Sequence, residues 1–414
     1  MPPEMIKNWI KNIGPGPLIA AAFIGPGTVT VCTLAGVGFG FAMLWAMTLS
    51  IIATIVLQEM AARLGIISRK GLSEVLRSEI KNPFLKGISI ILILSAIVIG
   101  NAAYEAGNIS GGVLGLETIV GHQSVAIGHF SLNLLSLLIG LIAFVLLYIG
   151  NYKVLEKALV SLVVLMSLAF LFSAIITKPN FLEILEGAFI PRFPKDSLLT
   201  VLGLIGTTVV PYNLFLHASL VKEKWKGKED LHYARKDTFV AIVLGGMVSM
   251  CIIISASSID SNSINNASDL AKGLEPVFGS FAKYFLSIGL FAAGITSAIT
   301  APLAAAYVAS GCLGWKTNMR SAKFRIVWIF ILALGILFSS LNLKPIAIIK
   351  FAQIANGILL PIIAGFLLWI MNKRSILGIH KNNIKQNMLG FFILVISLLL
   401  SIVALNKVLQ LNLF

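Results

Sequence analysis

Gly25-Pro26-Gly27-Thr28 and Val210-Pro211-Tyr212-Asn213 decide the fold, because each sits near the middle of a long apolar stretch, at 17–41 and 198–221. Proline removes a backbone donor, and its ring clashes with the preceding turn. Glycine loosens a helix further. In hydrocarbon each freed backbone group costs several kcal/mol unless something polar satisfies it. A break of this kind therefore belongs where it is buried in protein or lines a polar cavity. One such break is an ordinary proline kink; two at matching places are a pattern.

The surroundings fix the environment. Of 414 residues, 57% are hydrophobic and only 12% charged, against about 45–50% and about 25% in a soluble domain. Too little polar residue is present to cover a soluble fold, which excludes a soluble enzyme, a disordered chain and a nucleic-acid-binding domain. The net charge of +15 sits between apolar runs, so its expected partner is an anionic membrane face and no nucleic acid. Cys32, Cys251 and Cys312 are far apart and give neither a disulfide framework nor a zinc spacing. No phosphate-binding GxxxxGK[ST] loop appears, so no ATPase is expected in this chain, and no cofactor. Asn266-Ala267-Ser268 matches a glycosylation sequon and is read as chance.

A membrane-spanning helix needs about 20 apolar residues. Eleven stretches qualify: 17–41, 43–64, 88–109, 128–149, 156–177, 198–221, 236–257, 280–309, 324–341, 345–371 and 389–410. The first shows no cleavage site of a signal peptide. With the N-terminus inside, the inward segments carry about 24 of the 32 basic residues, so the positive-inside rule puts the N-terminus in the cytoplasm and the C-terminus outside. The expected setting is a bacterial or archaeal plasma membrane. The two breaks lie five spans apart. An inverted five-plus-five repeat makes spans 1 and 6 equivalent and brings their breaks together at the midplane, the strongest sequence pointer to the substrate site of a secondary transporter. The chain then reads as one all-α membrane domain over 1–414: a first repeat at 1–177, a second at 198–371, and an additional helix at 389–410.

From here the chain resembles the Nramp family of proton-coupled divalent-metal transporters, which have the LeuT-type fold. The resemblance rests on Gly14-Pro15-Gly16-Pro17, on Gln58 through Gly65 followed by Gly71-Leu72, on Pro211 through His217, and on Gln353, Asn356 and Pro361. It implies alternating-access transport, a divalent metal cation as substrate and symport with protons. The departures fall at the chemistry. Where the family's first break reads Asp-Pro-Gly-Asn, this chain has Gly25 and Thr28 in place of the metal-binding Asp and Asn; where the second reads Met-Pro-His, it has Val210 and Tyr212. An acidic proton-pathway position in span 3 is Ala102, while a Glu three residues on matches Glu105 and a span 6 histidine matches His217.

The substrate-binding residues expected at the meeting point are Ala22, Gly25, Gly27, Thr28, Thr207, Val210, Tyr212, Asn213 and Gln353. They offer hydroxyls, amides and helix-end carbonyls around Ala22 and Thr207, with no carboxylate and no certain metal ligand. A transition metal prefers soft or nitrogen ligands and neutralising charge. A partly hydrated hard cation tolerates neutral oxygens. A small organic solute such as an amino acid or organic acid also fits, since half-helix N-termini attract carboxylates. Both substrate readings stay open.

Glu105 is placed at the outer end of span 3, either on a proton route or as a hydrated acid of the vestibule. His217 is a proton relay or a hydrogen-bonded packing residue. Glu59 and Arg63 are spaced i, i+4 and read as a structural or inner-gate pair. Asn101 and Asn108 line the path or bond across helices, and the small residues Gly289, Gly294, Ser297 and Ala304 permit close helix contact. A channel would show a filter repeat or a charged ring; neither is visible. An intramembrane enzyme would need paired acids or a nucleophile–base pair inside the spans, and four of the five histidines fall in loops or near span ends.

Overall fold

The computed structural model describes residues 24–409, apart from 128–129, 151–152, 261–263, 317 and 342. Ala22 lies outside the described residues. Apart from one short hairpin, the regular structure is helical. In chain order the main helices are α1 (Pro26–Phe39), α2 (Leu44–Ser68), α3 (Leu72–Glu79), α4 (Pro83–Val120), α5 (Leu134–Ile149), α6 (Lys153–Ile176) and α7 (Phe181–Phe189). They continue as α8 (Leu198–Thr208), α9 (Pro211–Lys224), α10 (Leu231–Ala256), α11 (Ala282–Leu313), α12 (Ala322–Ser339), α13 (Pro345–Met371) and α14 (Ile384–Leu409).

Nine helical stretches among the described residues are long and apolar enough to cross a membrane. One of them, Pro26–Ser68, contains both α1 and α2, parted by a single 3-10 turn at Gly40–Met43; α5, with 16 residues, is a shorter apolar helix. Two expected boundaries move. Span 4 begins at Leu134 instead of 128, because Ser124–Ile127 pairs antiparallel with Phe130–Asn133 and the Asn133 side chain then caps α5 by accepting from the amides of Leu135 and Ser136. Span 3 runs to Val120 instead of 109, a helix of 38 residues.

The bundle is organised around buried helices. Helix α4 packs against α11, α12 and α13; α10 packs against α1 and α2; α8 packs against α13 and α1. Lipid-side residues such as Ile91, Leu141, Ile175 and Leu399 are exposed, as a bilayer solvent permits. Close approach is built from glycine. A Cβ on Gly206 of α8 would overlap the carbonyl oxygen of Gln353, and one on Gly357 of α13 would stand 2.7 Å from the carbonyl oxygen of Leu202. Those two glycines set α8 against α13 backbone to backbone, the small-residue packing expected where no hydrophobic force separates helix from lipid.

Candidate functional site

The second break is visible as the gap between α8, ending at Thr208, and α9, starting at Pro211. In a continuous helix the Thr207 carbonyl would accept from residue 211, and a proline has no N–H to give. Helix α1 begins after Gly25, its N-cap, with Pro26 in its first turn and no side-chain cap; the expected half of span 1 before it, 17–23, lies outside the described residues. Helix α9 thus begins at a break and turns its positive dipole end toward it, as α1 does toward Gly25.

The head of α1 meets the end of α8. The hydroxyl oxygens of Thr28 and Thr207 lie 2.8 Å apart in a buried hydrogen bond that joins α1 to α8. Gln353 of α13 is set against Gly27 so closely that a Cβ there would overlap its amide. On the other side, a Cβ at Gly25 would stand 2.9 Å from the Ser297 hydroxyl of α11. Tyr212 packs edge-on against Tyr104 of α4, ring centroids 5.4 Å apart. Thr28, Thr207, Val210, Tyr212, Asn213, Gln353 and Ser297 are all buried. Several of their polar atoms have no hydrogen-bond partner: both amide atoms of Asn213, Oε1 of Gln353, and the Ser297 hydroxyl. Nearby on α13, Nδ2 of Asn356 is in the same condition. Buried polar groups are nearly always paired, so a cluster of orphans at a helix break marks a place where something else supplies the partners.

Of the residues expected from the sequence, Thr28 is set against Thr207 and Gly27 against Gln353, while Tyr212 packs on Tyr104. It missed Ser297 as a polar member, because a serine within a run of small residues reads as a packing position, and nothing in one sequence says that it faces Gly25.

The remaining expected residues lie in other environments. Glu105 is fully buried within α4, which corrects its placement as a hydrated acid at an outer helix end. It accepts from Nδ2 of Asn108 at 3.3 Å, its other oxygen has no partner, and its side chain packs against Gly335 of α12. His217 is buried, with Nδ1 2.7 Å from the Gln58 amide oxygen and Nε2 3.5 Å from the Thr238 hydroxyl. Arg63 is buried and bonds Glu59 at 3.0 Å, the His380 carbonyl at 2.8 Å and Oδ1 of Asn382 at 2.8 Å. Arg235 of α10 reaches Glu59 from the other side at 2.8 Å. That group joins α2, α10 and the segment before α14. Asn101 donates to the Ala301 carbonyl at 2.9 Å, a bond across helices. Among the described residues no three His, Cys, Asp or Glu side chains converge as a metal cluster.

A helical membrane bundle in which the broken α8–α9 helix meets the head of α1 at a buried hydroxyl pair has the architecture of LeuT-type transporters. This chain belongs to the Nramp family: the Natural resistance-associated macrophage protein-like family matches residues 16–407. Members of that family are transporters and not enzymes. The chain is 25% identical to a divalent metal cation transporter MntH of Verminephrobacter eiseniae, over 97% of this chain and 89% of that one. It is 28% identical to the MntH of Caldanaerobacter subterraneus, over 80% and 79%. In fold it is similar to the manganese transporter of Eremococcus coleocola, with a TM-score of 0.76 at 19% identity, over 98% of this chain and 88% of that one. It is also similar to MhsT in complex with L-phenylalanine, with a TM-score of 0.59 at 16% identity, over 94% and 97%.

Proposed function

We propose that this chain carries a divalent cation across the membrane by alternating access, and that its pocket favours a hard, partly hydrated ion over Mn²⁺ or Fe²⁺. The relatives' names supply the cation. The donor set supplies the preference: the hydroxyls of Thr28, Thr207 and Tyr212, the amides of Asn213 and Gln353, and the freed carbonyl of Thr207 are neutral oxygens, the ligands of hard ions that keep some of their water. The observation that carries the reading is the buried Thr28–Thr207 bond across the two breaks, set among unpartnered amides.

On this reading residues 1–177 and 198–371 are inverted repeats and 389–410 lies outside them. The N-terminus is cytoplasmic and the C-terminus outside, in a prokaryotic plasma membrane. Glu105 and His217 are the groups available to a coupling proton. A second reading, carriage of an amino acid or organic acid, is favoured by the N-terminus of α1, which has no side-chain cap.

The test is flux into proteoliposomes. Mg²⁺ or Ca²⁺ is expected to accumulate and to outcompete Mn²⁺. Concentrative uptake of Mn²⁺ with micromolar binding by calorimetry would reject the preference, and cation-independent uptake of an organic acid would favour the second reading.

A further inference from the structure

The short helix α7 (Phe181–Phe189) links α6 to α8 outside the pocket. Nine residues long, it is capped by Asn180, whose side chain accepts from the Leu182 amide. At about 100° per residue its side chains fall into three sectors. Ile184, Gly187 and Ala188 share the first and face the bundle: Gly187 and Ala188 are buried, and Ile184 packs on the core. Glu183 and Glu186 share a second, exposed sector. There Glu183 accepts from Nδ2 of Asn180 at 2.9 Å, and Glu186 pairs with Arg192. Phe181, Leu182, Leu185 and Phe189 fill a third sector, about 100° wide. It too is exposed, Leu182 by 73% and Phe189 by 71%.

A helix with one side on protein, one polar and one apolar fits where protein, water and hydrocarbon meet. A helix standing across the bilayer has no water-facing sector, and one wholly in water would leave four large apolar side chains uncovered. Two observations name lipid as the hydrocarbon. The apolar sector continues the lipid-side surface of α6, where Phe172, Ile175 and Ile176 are exposed, across only the four residues 177–180. Exposed Lys178 and Lys195 stand before and after α7 in the chain, the kind of cation that meets lipid phosphates at an interface. The helix is also not free to roll its apolar sector onto the bundle. A Cβ on Gly187 would overlap the Phe41 carbonyl oxygen, the Trp45 indole donates to the Arg192 carbonyl at 2.9 Å, and Phe193 lies against the Trp45 ring, centroids 4.8 Å apart.

We propose that α7 is an interfacial helix. It lies along the membrane surface with Phe181, Leu182, Leu185 and Phe189 sunk about 5–10 Å into the headgroup and acyl boundary of one leaflet, and with Glu183 and Glu186 in water. Its partner is phospholipid. Its inner sector grips the turn between α1 and α2, and its C-terminal end leads into α8. The anchor thereby fixes the depth of the two helices that carry Thr28 and Thr207. The inference does not depend on which cargo is carried.

The test places full-length protein, one chain per disc, in nanodiscs of phosphatidylcholine and phosphatidylglycerol. Leu182→Cys, Phe189→Cys, Glu183→Cys and Glu186→Cys, each in a Cys32→Ala, Cys251→Ala, Cys312→Ala background, carry a nitroxide. Power saturation with oxygen and with a nickel chelate gives each label's ratio of apolar to aqueous access. That ratio is expected to be at least about threefold higher at 182 and 189 than at 183 and 186. Equal ratios overturn the proposal. So do labels at 182 and 189 that nickel reaches in single-chain discs and that are shielded only in crowded liposomes, a result that makes the occupant a second copy of the chain. Hydroxyl-radical footprinting of the unsubstituted protein in the same discs repeats the test without variants. Phe181 and Phe189 should be oxidised at least about threefold more slowly than in the chain unfolded by guanidinium; equal rates overturn the proposal as well.

Discussion

Replacing Gly25 by Asp together with Thr28 by Asn should turn this pocket into a transition-metal site, and the structure sets the scale of the gain. Gly25 is extended, with φ −104° and ψ −173°, so any residue fits its backbone. The new Cβ meets the Ser297 hydroxyl at 2.9 Å, which a rotation of that hydroxyl group relieves. Aspartate is among the best N-caps, better than glycine by a few tenths of a kcal/mol, and a negative charge there gains about 0.3–1 kcal/mol from the α1 dipole. The variant should therefore fold. For binding, a carboxylate about 4 Å from a divalent ion at an effective dielectric near 20 contributes about 8 kcal/mol before desolvation. Desolvation of the pair takes back most of that. If about a third survives, Mn²⁺ binds about a hundredfold more tightly. The Thr28–Thr207 bond is lost, at about 0.6 kcal/mol for a membrane-buried pair, and an amide oxygen is gained. Calorimetry with Mn²⁺ on the detergent-purified double variant measures the change, with Gly25→Asn/Thr28→Asn as the control of matched shape and no charge. The control should stay within about threefold of the parent. Equal gains in both variants, or none in the charged one, would refute the idea that a missing anion at the head of α1 is what excludes transition metals.

Other substitutions test the scaffold around the site. Gly206→Ala drives a Cβ into the Gln353 carbonyl, so it should destabilise by about 1–3 kcal/mol or more and abolish uptake; an unchanged melting temperature in detergent would show that α8 and α13 are not in backbone contact. Arg63→Ala removes a buried guanidinium shared by Glu59, His380 and Asn382; because Arg235 still neutralises Glu59, the expected loss is about 2–3 kcal/mol, below the ~3–5 for a fully orphaned partner, and a double-mutant cycle with Glu59→Gln in thermal melts measures the coupling. Thr207→Val deletes the hydroxyl bond between α1 and α8; it should cost only about 0.6 kcal/mol in stability yet reduce cation uptake at least about fivefold, and equal uptake in liposomes would place the substrate elsewhere.

How far the sequence could be read depended on whether the controlling force was local. The break at 210–213 was legible because proline acts on its own helix, and hydropathy located most of the long spans within a few residues, though not the end of span 3 or the start of span 4. Glu105 was misplaced for a physical reason. A charged residue followed by Asn108 lowers local hydropathy and looks like a helix end, but α4 continues to Val120. It continues because Gly111, Gly112 and Gly115 let other chain segments press against it: Pro26 at Gly111, Ile139 at Gly112 and the backbone of α11 at Gly115. Those contacts come from elsewhere in the chain, and no window over 100–120 contains them. The hairpin ahead of α5 escaped for a related reason: a four-residue strand gains its stability from its partner, not from its own period. Ser297 at Gly25 and Gln353 at Gly27 are likewise facts of tertiary approach.

The same division explains how a fold close to that of a manganese transporter can carry a pocket without an anionic ligand. What holds the half-helices in place is mostly backbone: Gly206 on Gln353, Gly357 on Leu202, Gly294 on the backbone of Gly112. Such contacts fix where α4, α8, α11 and α13 cross and are indifferent to which side chain stands at 25, 28, 210 or 212. Ligand chemistry can then change one residue at a time while the breaks stay in register, at a cost of one capping group or one hydroxyl bond, each worth about 1 kcal/mol or less. Substituting a crossing glycine costs more and moves every ligand at once. Selection on such a protein should therefore hold the glycines at the crossings more tightly than the residues at the breaks, and the similarity in fold carries no information about the ion. For Gly25 the two roles coincide. A glycine there both leaves the α1 N-terminus without a side-chain acceptor and lets the Ser297 hydroxyl lie 2.9 Å from where a Cβ would stand, so Gly25→Asp tests charge and close approach at once.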